Sequence, residues 1–180
     1  MWIQNVSKID IATGNHKHPG DNCMLIQILD PDEGFPRPKH QFNEIHQFEF
    51  LDVEGHGYTN FGDGEITDVS DALITTEQAQ QIAKLLLRAR DKKMNVIVHC
   101  HAGIFRSGAV AEVGVMLGFV DTGAFRSPNR LVKHSIMAAL GMKYDTKEPM
   151  SINGEPCGSD SSKNSILFKG HRQNLTKNMF

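Results

Sequence analysis

From residue 94 the chain reads Met-Asn-Val-Ile-Val, then His99-Cys100-His101-Ala102-Gly103-Ile104-Phe105-Arg106-Ser107-Gly108, then an apolar stretch that begins at Ala109. The first five residues have the composition of a buried strand and residues 109–117 that of an apolar helix, so the segment between them is a strand-to-helix turn. Five residues separate Cys100 from Arg106. Their amides can curl inward as an anion-binding nest, and the positive end of the helix that starts near Arg106 adds to the same field. That field is expected to favour the thiolate of Cys100, because helix N-termini and nearby cations lower cysteine pKa values to roughly 3.5–7.5. Arg106 offers a planar fork that matches two oxyanion oxygens, which Lys cannot do. Ser107 places a hydroxyl where it can stabilise the departing sulfur, and Gly103 and Gly108 permit close backbone approach. The turn is a phosphate trap that carries its own nucleophile.

Length and composition bound what surrounds this turn. The 180 residues suit one domain, and 39% hydrophobic with 22% charged residues is ordinary for a globular protein. A formal charge of −2 and a pI near 6.5 give no basic footprint, so a nucleic-acid partner is not expected. Cys23, Cys100 and Cys157 are an odd number without paired spacing, which favours a reducing compartment over a disulfide framework. No basic leader opens the chain and no segment approaches the ~18 apolar residues of a membrane span, so the sequence predicts a cytoplasmic protein without membrane attachment.

Alternating strand and helix signals predict an α/β fold, with a mainly parallel central sheet flanked by helices. Residues 2–11 read as an early strand, 24–29 as a continuous apolar strand and 46–51 as a third, followed by a long polar loop through Asp71. Residues 75–92 predict a helix, with Thr75 and Gln78 at capping-box spacing. Ser127-Pro128-Asn129 opens another amphipathic helix over 130–140, closed by Gly141. Residues 143–164 read as a polar linker and 165–180 as a tail that is either frayed or a short helix, which leaves 1–142 as the domain.

The turn resembles the active-site loop of the protein tyrosine phosphatase superfamily, His-Cys-x-Ala-Gly-x-x-Arg-Ser/Thr-Gly, at every fixed position. Residues 25–32, 48–54 and 128–133 also look like family landmarks in the right order, so the resemblance spans about residues 20–142. It is nearest to compact dual-specificity-type phosphatases of bacterial and phage kind. Such a resemblance implies a phosphorylated protein or peptide substrate, a phosphocysteine intermediate, no cofactor or metal and a monomeric chain. It implies catalytic roles for Cys100, Arg106 and Ser107, and phosphate binding by Arg106 and by the loop residues His101, Ala102, Gly103, Ile104 and Phe105. In the family an Asp on the loop after a strand protonates the leaving oxygen. Asp52 occupies the matching place; Glu54 and Asp68 compete, Asp68 being the better spaced if the intervening loop has no insertion. His99 and Asn129 are expected to support the loop and the neighbouring backbone.

The remaining signals are weaker. His16, His18, His40, His46 and His56 lack metal-ligand spacing, and the acidic run of Asp63, Glu65, Asp68 and Asp71 lacks the alternation of a calcium loop. Cys23 and Cys157 are either packing residues or resolving thiols. A phosphate-binding pseudophosphatase, or a thiolate-based arsenate-reducing or sulfur-transfer enzyme, remains the alternative to hydrolysis.

Overall fold

The computed structural model describes residues 1–54, 58–59 and 67–143. Strand β1 (Trp2–Ser7) runs straight into the short helix α1 (Lys8–Thr13), and β2 (Cys23–Leu29) and β3 (Glu44–Glu49) follow. A two-residue antiparallel ladder, β4 (Tyr58–Thr59) with β5 (Thr67–Asp68), precedes α2 (Thr76–Asp91). Then come β6 (Asn95–Cys100), α3 (Arg106–Met116), β7 (Val120–Asp121) and α4 (Arg130–Ala139). Five strands form one sheet in the order β3-β2-β6-β1-β7, with every neighbour parallel. This is the α/β class that the alternating pattern predicts. The stretches read as linker and tail lie outside the described residues, apart from Lys143.

The early strand is shorter than its apolar pattern suggests. It stops at Ser7 because Ser7 Oγ accepts a hydrogen bond from the Asp10 amide while Asp10 Oδ2 accepts from the Ser7 amide, both at 3.1 Å. This reciprocal cap starts α1 in what the sequence pattern reads as strand, and the local hydrogen bonds override the β-propensity of the isoleucines. Strand β3 begins two residues earlier than expected and ends at Glu49, and the edge strand β7 carries no sequence signal because two exposed residues cannot show a period.

Side-chain alternation decides what reaches the site. Every residue of β2 is buried, as expected of an interior parallel strand covered on both faces. Met24, Ile26 and Ile28 join Val96, Val98 and Cys100 in the larger core, beneath α2, α3 and α4. Cys23, Leu25 and Ile97 pack with Val6 and Ile11 on the opposite face. By the same period of two, Cys100 emerges on the α3 side of β6 and His99 on the other. Helix α2 starts at a Thr75–Gln78 capping box and buries Ile82 and Leu86 completely, which contributes roughly 2 kcal/mol for each side chain.

Candidate active site

The turn predicted from sequence lies at the carboxyl end of the central strand β6, where open parallel sheets gather their ligand sites. Residues 101–105 bend without a hydrogen-bonded turn, and α3 starts at Arg106 with no side-chain cap. Among the described residues, the amides of Ala102, Gly103, Ile104 and Phe105 donate to no protein acceptor. Together with the open first turn of α3, they form a row of donors suited to an anion.

The loop is held from below. Gly103 has φ +76°, and a Cβ there would fall 2.4 Å from both the Val6 carbonyl carbon and the Ser7 nitrogen, so only glycine allows the loop to lie on the end of β1. Asn5, buried in β1, donates through Nδ2 to Gly103 O at 2.7 Å and to Phe125 O at 2.9 Å. The Lys8 amide donates to His101 O at 3.2 Å. On the other side, Ser127 and Asn129 amides donate to Ile104 O and Phe105 O. The sequence reading missed Asn5. Its signal was a polar residue between Ile3 and Val6 in a strand otherwise destined for the core.

Cys100 is buried, and its Sγ lies 3.2 Å from Ser107 Oγ. Burial pushes the Cys23 thiol up to about 12 and makes it a poor resolving nucleophile. Cys157 is outside the described residues. Arg106 is only 2% exposed, yet its guanidinium is well anchored: Nη1 donates to Asp30 Oδ1 at 2.7 Å and to Phe50 O at 2.6 Å. Nε is buried without a hydrogen-bond partner, 3.7 Å from Asp52 Oδ2. One edge of the fork is therefore anchored and the Nε–Nη2 edge remains available for bidentate recognition.

Of the three acid candidates Asp52, Glu54 and Asp68, Asp52 is the one that pairs with Arg106. Its Oδ1 accepts from Asn129 Nδ2 at 2.8 Å. Burial raises the Asp52 pKa, and the Asn129 hydrogen bond and the Arg106 charge only partly offset it, so the carboxyl holds its proton more tightly than a free aspartate does. Asn129 also caps α4, accepting from the Val132 amide at 3.0 Å, so one side chain joins the helix start to Asp52. Glu54 accepts from the Arg130 amide. Asp68 is exposed and bonds Ser70 through one carboxylate oxygen. Asp52, Glu54, Phe105, Ser127 and Asn129 line a cavity of about 330 Å³ beside the loop.

His99 and His101 divide in role. His99 is fully buried with neither ring nitrogen hydrogen-bonded, and burial pushes its pKa down to about 4, so it is neutral at the foot of the loop. His101 is exposed and bonds Glu33 Oε1 at 2.7 Å, the oxygen that Lys8 Nζ reaches at 3.0 Å. Burial opposes ionisation of Glu33, but these hydrogen bonds outweigh it and hold the carboxyl down at about 2. His16, His18 and His40, scattered in sequence, come together with ring centroids 5.1 Å apart for each pair that includes His40. Among the described residues, no group of three or more His, Cys, Asp or Glu side chains is arranged to hold a metal ion.

No family model and no curated protein matches the chain. Among solved structures it is similar to OH1 from the Orf virus, described as a tyrosine phosphatase with distinct structural features and triple substrate specificity. The TM-score there is 0.40 at 18% identity, over 64% of this chain and 56% of OH1. The chain thus spans just over half the length of OH1. It is also similar to Tk-PTP in its active form, with a TM-score of 0.38 at 13% identity over 81% of this chain and 83% of that one.

Proposed function

We propose that this chain hydrolyses phosphomonoesters through a phosphocysteine, as a compact phosphatase acting on phosphorylated protein or peptide. One observation carries the reading: a buried cysteine beside a serine hydroxyl, an arginine with an unpartnered Nε and a burial-raised carboxyl lie at a loop whose amides have no protein acceptor and that opens a helix without a side-chain cap. In the first step Cys100 Sγ attacks phosphorus in line, the S–P bond forms and the ester O–P bond breaks. The leaving oxygen takes its proton from Asp52. The Arg106 Nε–Nη2 edge and the loop amides hold the equatorial oxygens as charge redistributes. In the second step the Asp52 carboxylate takes a proton from water, the new O–P bond forms and the S–P bond breaks. Ser107 Oγ–H then donates to the departing sulfur, which its 3.2 Å separation allows.

The reading is tested with aryl phosphate and with phosphotyrosine, phosphoserine and phosphothreonine peptides, using wild type, Cys100→Ser and Asp52→Asn. Cys100→Ser is expected to abolish turnover while keeping tungstate binding. Asp52→Asn is expected to lose about 10²–10⁴-fold, chiefly on poor leaving groups. Equal rates for wild type and Cys100→Ser overturn the reading. Oxyanion binding with no turnover of any ester indicates a pseudophosphatase instead, and turnover of arsenate or thiosulfate alone indicates the other thiolate chemistries.

A further inference from the structure

Arg106 has two carboxylates within reach, and they are not equivalent. Asp30 follows β2 directly, and its Oδ1 lies 2.7 Å from Nη1; Asp52 Oδ2 lies 3.7 Å from Nε, within Coulomb range but outside hydrogen-bond range. The second acceptor on Nη1, Phe50 O, follows β3, and the Phe50 amide donates to Leu29 O at 3.0 Å. Both acceptors are thus fixed by the ends of paired strands. A guanidinium is planar, so saturating both N–H bonds of Nη1 sets the direction of the opposite edge. That edge carries the buried, unpartnered Nε.

We propose, on the phosphatase reading above, that Asp30 is a positioning residue: it anchors Arg106 by Nη1, which directs the Nε–Nη2 edge to the phosphoryl oxygens and holds Arg106 at 3.7 Å from Asp52, short of a hydrogen-bonded pair. An unanchored arginine beside a part-buried carboxylate closes on it, because attraction between opposite charges strengthens where water is partly excluded. Such closure fills the oxyanion fork with the residue that must deliver the proton. Asp30 prevents both losses by taking the cation first, and its own charge further disfavours ionisation of Asp52. Among the described residues, the charges that act on Asp52 are Arg106 at the start of α3 and Asp30 after β2, while Glu54 on its own segment lines the same cavity. Glu54 accepts from the Arg130 amide, and Arg106 is the cation that both Asp30 and Asp52 face.

The experiment compares wild type, Asp30→Asn, Asp30→Glu and the exposed neighbour Asp32→Asn as control. Tungstate affinity is measured by calorimetry, kcat/KM for a phosphopeptide across pH, and thermal midpoint as a check on folding. Asp30→Asn is expected to bind tungstate about tenfold more weakly. Its alkaline limb of kcat/KM is expected to move to lower pH, because Asp52 pairs more closely with Arg106 and loses a repelling charge. Asp30→Glu restores part of both, and Asp32→Asn changes neither. Unchanged tungstate affinity together with an unmoved alkaline limb in folded Asp30→Asn overturns the proposal while leaving the phosphatase reading intact. Asp30-dependent tungstate binding by a wild type that hydrolyses no ester keeps the positioning role and overturns the phosphatase reading. Absence of oxyanion binding by wild type overturns both.

Discussion

Replacing Asn5 by Ala isolates the support beneath the phosphate loop from the chemistry above it. Asn5 is 3% exposed, and truncation removes the donors to Gly103 O and Phe125 O. Gly103 is buried, so its carbonyl loses its partner without gaining water, a penalty of about 1–3 kcal/mol. Phe125 is exposed and its carbonyl can rehydrate, so that bond is worth only about 0.5–1.5 kcal/mol. Arg126 Nη1 loses its 3.4 Å contact with Asn5 Oδ1 but keeps Asp121, which adds little. The sum is about 2–4 kcal/mol of stability, or roughly 5–15 °C in Tm for a chain of this size. Urea unfolding at constant slope measures the stability term, and calorimetry with tungstate measures the loop. Both are expected to fall, with oxyanion affinity reduced about tenfold or more. A loss below about 1 kcal/mol, or full stability loss with unchanged tungstate affinity, refutes the claim that Asn5 holds the loop in its anion-binding shape.

Two further perturbations separate linked roles. Asn129→Ala removes the α4 cap, costing about 1 kcal/mol, and the hydrogen bond that favours the Asp52 carboxylate, so the alkaline limb of kcat/KM moves to higher pH. Asn129→Ser keeps a capping oxygen but not the reach to Asp52, so chemical denaturation is expected to show recovered stability while the pH profile stays shifted; equal loss in both variants contradicts the division. His99 binds its proton less readily folded (about 4) than unfolded (6.5), so its contribution is present above pH 6.5 and is lost as pH falls towards 4. That span corresponds to roughly 3 kcal/mol. Urea midpoints measured across this window are expected to fall more steeply in wild type than in His99→Met, and parallel curves refute the assignment.

How much was readable from the chain depends on the range of the interaction. The strand-loop-helix turn was legible because its donors, nucleophile and helix start lie within ten consecutive residues, where spacing alone fixes proximity. The mainly parallel α/β layering followed from strand and helix periods, and the α2 cap from Thr75 and Gln78. The start of α1 was not, since an Asp at the third helical position completes the Ser7 cap within an apolar run that otherwise reads as strand. Spacing from Cys100 favoured Asp68 over Asp52 if the loop between them had no insertion. The fold instead brings Asp52 to Arg106 and leaves Asp68 exposed beside Ser70.

By itself the sequence determined a buried strand ending in a thiol, an amide-lined turn and an arginine at a helix start, because these are local consequences of side-chain size, backbone freedom and hydrogen-bonding capacity. Only the tertiary structure decided which distant groups meet that turn. Asn5 beneath it, Asp30 and Phe50 on Arg106 and Asn129 on Asp52 are joined across 98, 76, 56 and 77 positions of chain. Contacts of that span are set by strand order and register, and those emerge only when the whole sheet buries its two faces together.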